Sequence, residues 1–174
     1  GSAPHEQVRI RLTHFHKNYW DSELLEIIQP SINRVKPPCP VFYKCGGCQW
    51  QHLSYEAQVD AKKEILLSQL TRLIGIPTPQ LNTLLKIHPA THAFGYRTRV
   101  QVRADKQGLG FYQQSSHSIA YTDRCLIADP KIQEVWTAFL GNHYLSEDNG
   151  YLQQKIEWTL KPNGQVEELM NRKH

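Results

Sequence analysis

The sequence predicts an α+β fold: an antiparallel β-sheet carrying two helices, built around a loop of cysteines. Three observations lead there. Several segments alternate apolar and polar residues with the period of a half-buried strand, most clearly YRTRVQVRA at 96–104. Two longer segments carry helical periodicity and begin with capping residues. All four cysteines fall in two places: Cys39, Cys45 and Cys48 in PCPVFYKCGGCQWQHL, residues 38–53, and Cys125 in DRCLIADP. Strand-forming and helical runs that do not alternate strictly give α+β rather than α/β.

The elements follow in order. Residues 7–13, QVRIRLT, alternate with Val8, Ile10 and Leu12 on one side and Arg9 and Arg11 on the other. Residues 19–28, YWDSELLEII, predict a second strand after a turn at 16–18. Pro30, Pro37 and Pro38 mark a linker into the cysteine loop. Ser54 is placed to cap a helix over 55–74, which Gly75 and Pro77 end; Val59, Leu66, Leu70 and Leu73 are its expected apolar face. A short strand is expected at 84–88, then the strand at 96–104. Asp105 to Gly108 reads as a hairpin turn into LGFYQQ, and 118–122 as the next strand. Asp129-Pro130 is an N-cap and N1 pair, opening a helix whose apolar face is Ile132, Val135, Trp136, Phe139 and Leu140. Strands at 151–160 and 165–170 flank the turn Lys161-Pro162-Asn163-Gly164.

Composition narrows the class. The 174 residues allow one or two small domains, and 40% hydrophobic with 21% charged residues is inconsistent with a disordered chain. A net charge of +4 and pI near 8.9 are compatible with a nucleic-acid partner without requiring one. No apolar run reaches the length of a membrane span and no signal peptide is evident. Gly1-Ser2 reads as a scar of tag removal, and the chain reads as a piece of a larger protein.

The cysteine spacing C-x5-C-x2-C plus one distant thiol is the arrangement a four-thiolate centre needs. Gly46 and Gly47 would let the loop turn and leave room for an inorganic core. Cys39-Pro40 resembles the Cys-Pro step of ferredoxin-type clusters. Four-cysteine zinc sites usually come as two close pairs, so one triple and one single favours iron–sulfur over zinc. Spacing alone leaves three readings open: the cluster; zinc, with His52 able to replace Cys125; and a disulfide or redox pair of Cys45 and Cys48. His88, His92, His117 and His143 share no metal spacing.

The strand at 96–104 carries the other candidate. Period two places Tyr96, Thr98, Val100, Val102 and Ala104 on one face and Arg97, Arg99, Gln101 and Arg103 on the other. Guanidinium forks in a row suit phosphate oxygens. Lys44, Lys62 and Lys63 could extend such a patch, and Trp50 could stack on a base or shield the metal loop.

The motif C-x5-CGGC-x2-QH-x2-Y-x2-Q-x3-K, on Cys39, Cys45, Gly46, Gly47, Cys48, Gln51, His52, Tyr55, Gln58 and Lys62, resembles that of the iron–sulfur RNA uracil-5-methyltransferases, the RumA-type branch. The resemblance continues through GYRTRVQV (95–102), LGFYQQSSHSI, and the Cys125 segment to Pro130. It implies a [4Fe–4S] cluster on Cys39, Cys45, Cys48 and Cys125, and RNA contact by Arg97, Arg99, Gln101 and Arg103. It implies that residues 1–30 are the end of a TRAM β-barrel and 31–174 the central iron–sulfur RNA-binding domain. The implied partner is ribosomal RNA ahead of transfer RNA, in a cytoplasmic monomer. The family's reaction moves a methyl group from S-adenosylmethionine to C5 of uridine, using a nucleophilic cysteine and a glycine-rich cofactor loop. Here all four cysteines are assigned to the cluster and no G-x-G opens a helix after a strand, so this chain alone is not expected to methylate RNA. The other classes to weigh are a zinc-stabilised RNA- or protein-binding module and a redox iron–sulfur carrier.

Overall fold

The computed structural model describes residues 1–143 and 154–171, and the chain forms two compact units. The first three residues of the strand expected at 151–160 and the side chain of His143 lie outside the described residues.

One unit comprises Gly1–Pro38 and Gln49–Pro89. Strands β1 (Gln7–His16) and β2 (Tyr19–Gln29) pair antiparallel, longer than expected at both hairpin ends, with three register irregularities. They form a two-stranded sheet and no closed barrel. Helix α1 (Tyr55–Ile74) begins where the Ser54 hydroxyl accepts the Ala57 N–H at 3.3 Å. It ends at Gly75, whose φ of 72° only glycine adopts without strain. Its buried residue is Leu67, while Leu66 and Leu73 are exposed, so the expected stripe is correct in period and displaced in phase. The strand expected at 84–88 is absent. In its place, just upstream, stands a short helix α2 (Thr78–Leu84), giving three helices among the described residues where two were expected. Pro77, expected to end α1, stands as the N-cap of α2; Pro79 fits its first turn, where proline is tolerated, and Leu81 supplies the buried anchor.

The other unit comprises Cys39–Cys48 and Ala90–His174. Strands β3 (Arg99–Asp105), β4 (Gly108–Tyr112), β5 (Ile119–Tyr121), β6 (Gln154–Leu160) and β7 (Val166–Asn171) form one antiparallel sheet in the order β5-β4-β3-β6-β7. Helix α3 (Pro130–His143) opens at Asp129, whose carboxylate accepts the Lys131 N–H at 2.9 Å. Val100, Val102, Ala104, Ile156 and Trp158 of the sheet bury against Ile132, Trp136 and Phe139 of α3. Period two thus sends one face of β3 into the core and leaves Arg99, Gln101 and Arg103 on the other. Gly164, at φ 80°, closes the β6–β7 turn. The fold class is α+β, as expected.

Two expectations for 96–104 change. β3 starts only at Arg99, where β6 supplies the first partner, Thr159. Upstream, residues 95–97 run beside the Cys125 segment instead: Gly95 N–H donates to Leu126 O at 3.0 Å, Arg97 N–H to Ile127 O at 2.8 Å, and Asp129 N–H to Arg97 O at 2.9 Å. Tyr96 and Thr98 are consequently exposed rather than in the core, and Arg97 is outside the strand.

Candidate metal centre and nucleic-acid interface

The cysteine loop belongs to the sheet-bearing unit by its own hydrogen bonds. Phe42 N–H donates to Cys39 O, and Lys44 and Cys45 N–H both donate to Val41 O, which winds 39–45 into a tight coil around buried Phe42. Cys45 bridges Gln113, and Gly46 N–H donates to Tyr112 O at 2.9 Å, docking the coil on the segment after β4. A Cβ at Gly46 would stand 3.1 Å from Tyr112 O and 3.3 Å from the Gln114 backbone, so close approach is what that glycine supplies. Neither Gly46 nor Gly47 has a positive φ; the sharp turn expected of them is made by residues of ordinary backbone geometry.

The second cysteine segment reaches this unit through the parallel bridge of Arg97 with Ala128 and the start of α3. None of the four cysteines is disulfide-bonded, and all are half-buried. Burial pushes the Cys45 thiol up; the Gly47 N–H, 3.3 Å from Sγ, opposes this, and the nearby Cys48 and Cys39 add to it. Burial likewise raises Cys125, against the N–H groups of Ile127 and Ala128, with Cys48 and Cys45 adding to the rise. The distant fourth cysteine belongs to the same compact unit as the loop. Among the described residues, no group of three or more His, Cys, Asp or Glu side chains is gathered as a single bound ion would require.

His52 of the motif and the neighbouring Trp50 lie in the other unit. His52 is buried and donates from Nε2 to Ser2 O at 3.3 Å, and burial lowers its pKa. Trp50 lies under Lys62, whose Nζ is 5.9 Å from the ring centroid. Gln58 donates to Leu53 O at 3.0 Å, a bond that steadies the entry to α1.

The outward face of β3 is less uniformly cationic than its sequence. Arg99 Nε is 2.6 Å from Glu157 Oε1 on β6, and Gln101 Nε2 donates to the other oxygen of the same carboxylate. These bonds hold the Glu157 carboxyl below its ordinary range and raise Arg99. The Arg103 guanidinium lies over the Tyr112 ring at 4.9 Å, and its cross-strand neighbour is Lys155. Sequence reasoning missed Tyr112, Lys155 and Glu157. Nothing in one strand reveals which residues of β4 and β6 stand beside it.

No family model matches the chain. It is 36% identical over 141 residues to a protein of Thermosynechococcus vestitus named an uncharacterized RNA methyltransferase, covering 79% of this chain and 31% of that protein. Similarly named proteins of Clostridium tetani and Staphylococcus aureus are 37% and 38% identical over 139 and 135 residues, covering 78% and 75% of this chain and 29% of each relative. The chain spans about a third of the length of the curated relatives it matches. No helix among the described residues is long and apolar enough to cross a membrane.

Proposed function

We propose that this chain is the RNA-handling portion of an RNA methyltransferase, in which Cys39, Cys45, Cys48 and Cys125 hold an iron–sulfur cluster. Methyl transfer, from S-adenosylmethionine to C5 of a uridine, is assigned to the part of the relatives that this chain does not span. The partner is RNA, ribosomal RNA by preference.

One observation carries the cluster reading. Three thiols in the 39–48 loop and a fourth about eighty residues later belong to one compact unit. The surroundings suit the group. The loop packs at Gly46, Cys45 Sγ already accepts the Gly47 amide, and the Ile127 and Ala128 N–H groups favour the thiolate form of Cys125. Amide N–H groups directed at cysteine sulfur stabilise thiolate ligands and tune cluster potentials. When bound, the cluster would cross-link the loop to the segment that enters α3. The residues themselves do the rest: the 39–48 loop presents three thiols, and the 125–129 turn presents the fourth.

RNA contact is assigned to the open face of the sheet, where Arg103 with Tyr112 and Lys155 offers positive charge beside an aromatic ring. Anaerobic purification followed by iron, sulfide and zinc assays and a visible spectrum tests the metal. About four irons and four sulfides per chain with broad blue absorption is the expected result. Stoichiometric zinc without sulfide would overturn it in favour of a zinc-stabilised module.

A further inference from the structure

The Cys125 segment is held on three sides. Residues 95–97 grip it by main-chain bonds, and its own turn closes where Ala128 N–H donates to Cys125 O at 3.0 Å. The third contact is made by a side chain. Gln133 Oε1 accepts the Cys125 N–H at 2.9 Å, and Gln133 Nε2 donates to Asp123 O at 3.2 Å. Gln133 is itself fixed in the first turn of α3, its N–H donating to Asp129 O at 3.0 Å. A primary amide offers an acceptor and a donor from one rigid plane, which is what bridging an N–H and a C=O two residues apart needs.

We propose that Gln133 is the positioning residue of the fourth cluster ligand: its amide locks the backbone from Asp123 to Cys125 onto α3 and so holds the Cys125 thiol toward the other three. The proposal rests on the cluster reading above. It assigns a role to C-x7-Q, a spacing that in sequence looks like any polar position on a helix. The glutamine touches the ligand's own peptide, so it acts on the metal only through Cys125. Outer-shell partners of this kind typically change metal retention about 10–100-fold.

The test uses the full chain with Gln133→Leu, which removes both bonds at similar volume, and Gln133→Glu, which keeps only the acceptor for the Cys125 N–H. In metal-free, reduced protein, iodoacetamide labelling of each cysteine is followed by peptide mass spectrometry, with circular dichroism checking the fold. In reconstituted protein, iron loss to a chelator is timed. Gln133→Leu is expected to label Cys125 several-fold faster, leave the other three rates unchanged, and lose iron about 10-fold faster. Gln133→Glu should fall between Gln133→Leu and wild type in both readouts. Wild-type labelling and iron loss in folded Gln133→Leu would overturn the proposal. If that variant does not fold, wild-type rates in Gln133→Glu would do so. Failure of the wild-type chain to take up iron and sulfide would remove the cluster reading instead, and the labelling rates would still decide whether Gln133 positions Cys125.

Discussion

Arg99 and Glu157 face each other across the β3–β6 ladder, the guanidinium 63% exposed and the carboxylate 11%. The pair compensates one of the charges that the strand presents, and Gln101 is bound to the same carboxylate. Arg97 and Arg103 have no carboxylate partner among the described residues, which divides the arginines into two kinds.

That division predicts unequal contributions to RNA binding. Changing Arg97 and Arg103 together to alanine should weaken binding and lower the log–log salt slope by about 1.4, two phosphates at about 0.7 each for single strands. Arg99→Ala should change the slope much less. Titrations of a fluorescent RNA at several salt concentrations give the numbers. Equal effects from both sets would mean that Glu157 does not mask Arg99, and no effect from either would place the RNA elsewhere.

Cys125→Ser separates ligation from packing. Cys125 packs against the core, so the metal-free variant should lose only about 1 kcal/mol of stability. The anaerobically reconstituted variant should lose or weaken its iron and its chromophore. Denaturation of both proteins with and without metal is the measurement. Equal iron content in variant and wild type would show that the distant cysteine is not a ligand.

The two loop glycines should respond differently. An alanine at Gly46 meets the backbone of Tyr112 and Gln114, which cannot swing aside, and should cost about 1–3 kcal/mol. At Gly47 the added Cβ stands 3.4 Å from Cys45 Sγ, an ordinary contact, so Gly47→Ala should leave the metal-free fold nearly unchanged. Urea midpoints of the two metal-free variants decide it; the reverse order would mean that the loop does not dock through Gly46.

A pH dependence follows from Glu6. Its carboxylate accepts the N–H groups of Ala3 and Ser31 and both Nε and Nη2 of Arg34. The Arg34 bonds lead in holding its pKa at about 2 instead of 4.5. The folded value lies below the unfolded one, so this contribution is complete above pH 4.5 and is lost as pH falls toward 2. Glu6→Gln should therefore be less stable than wild type by about 2–3 kcal/mol at pH 6, with the gap closing toward pH 2. A gap that stays constant with pH would show that the carboxylate charge is not what Arg34 holds.

The elements the sequence determined by itself are those written in local chemistry. Ser54 and Asp129 begin helices because their side chains accept backbone N–H groups a few residues on, and Gly75 ends one because it alone accepts a left-handed φ cheaply. Alternation placed Val100 and Val102 inside because a strand has only two faces. Tertiary structure decided what depends on the neighbour. It began β3 at Arg99 and not Tyr96, since a ladder starts where β6 can pair and residues 95–97 had found the Cys125 segment instead. It paired Arg99 with Glu157, and it made Gly46 a site of close approach and not of backbone twist. Cys125 was recognisable as a fourth thiol from spacing and resemblance. That it falls in one compact unit with the loop cysteines, its peptide N–H held by Gln133, depends on contacts between segments distant in the chain, which no local pattern encodes.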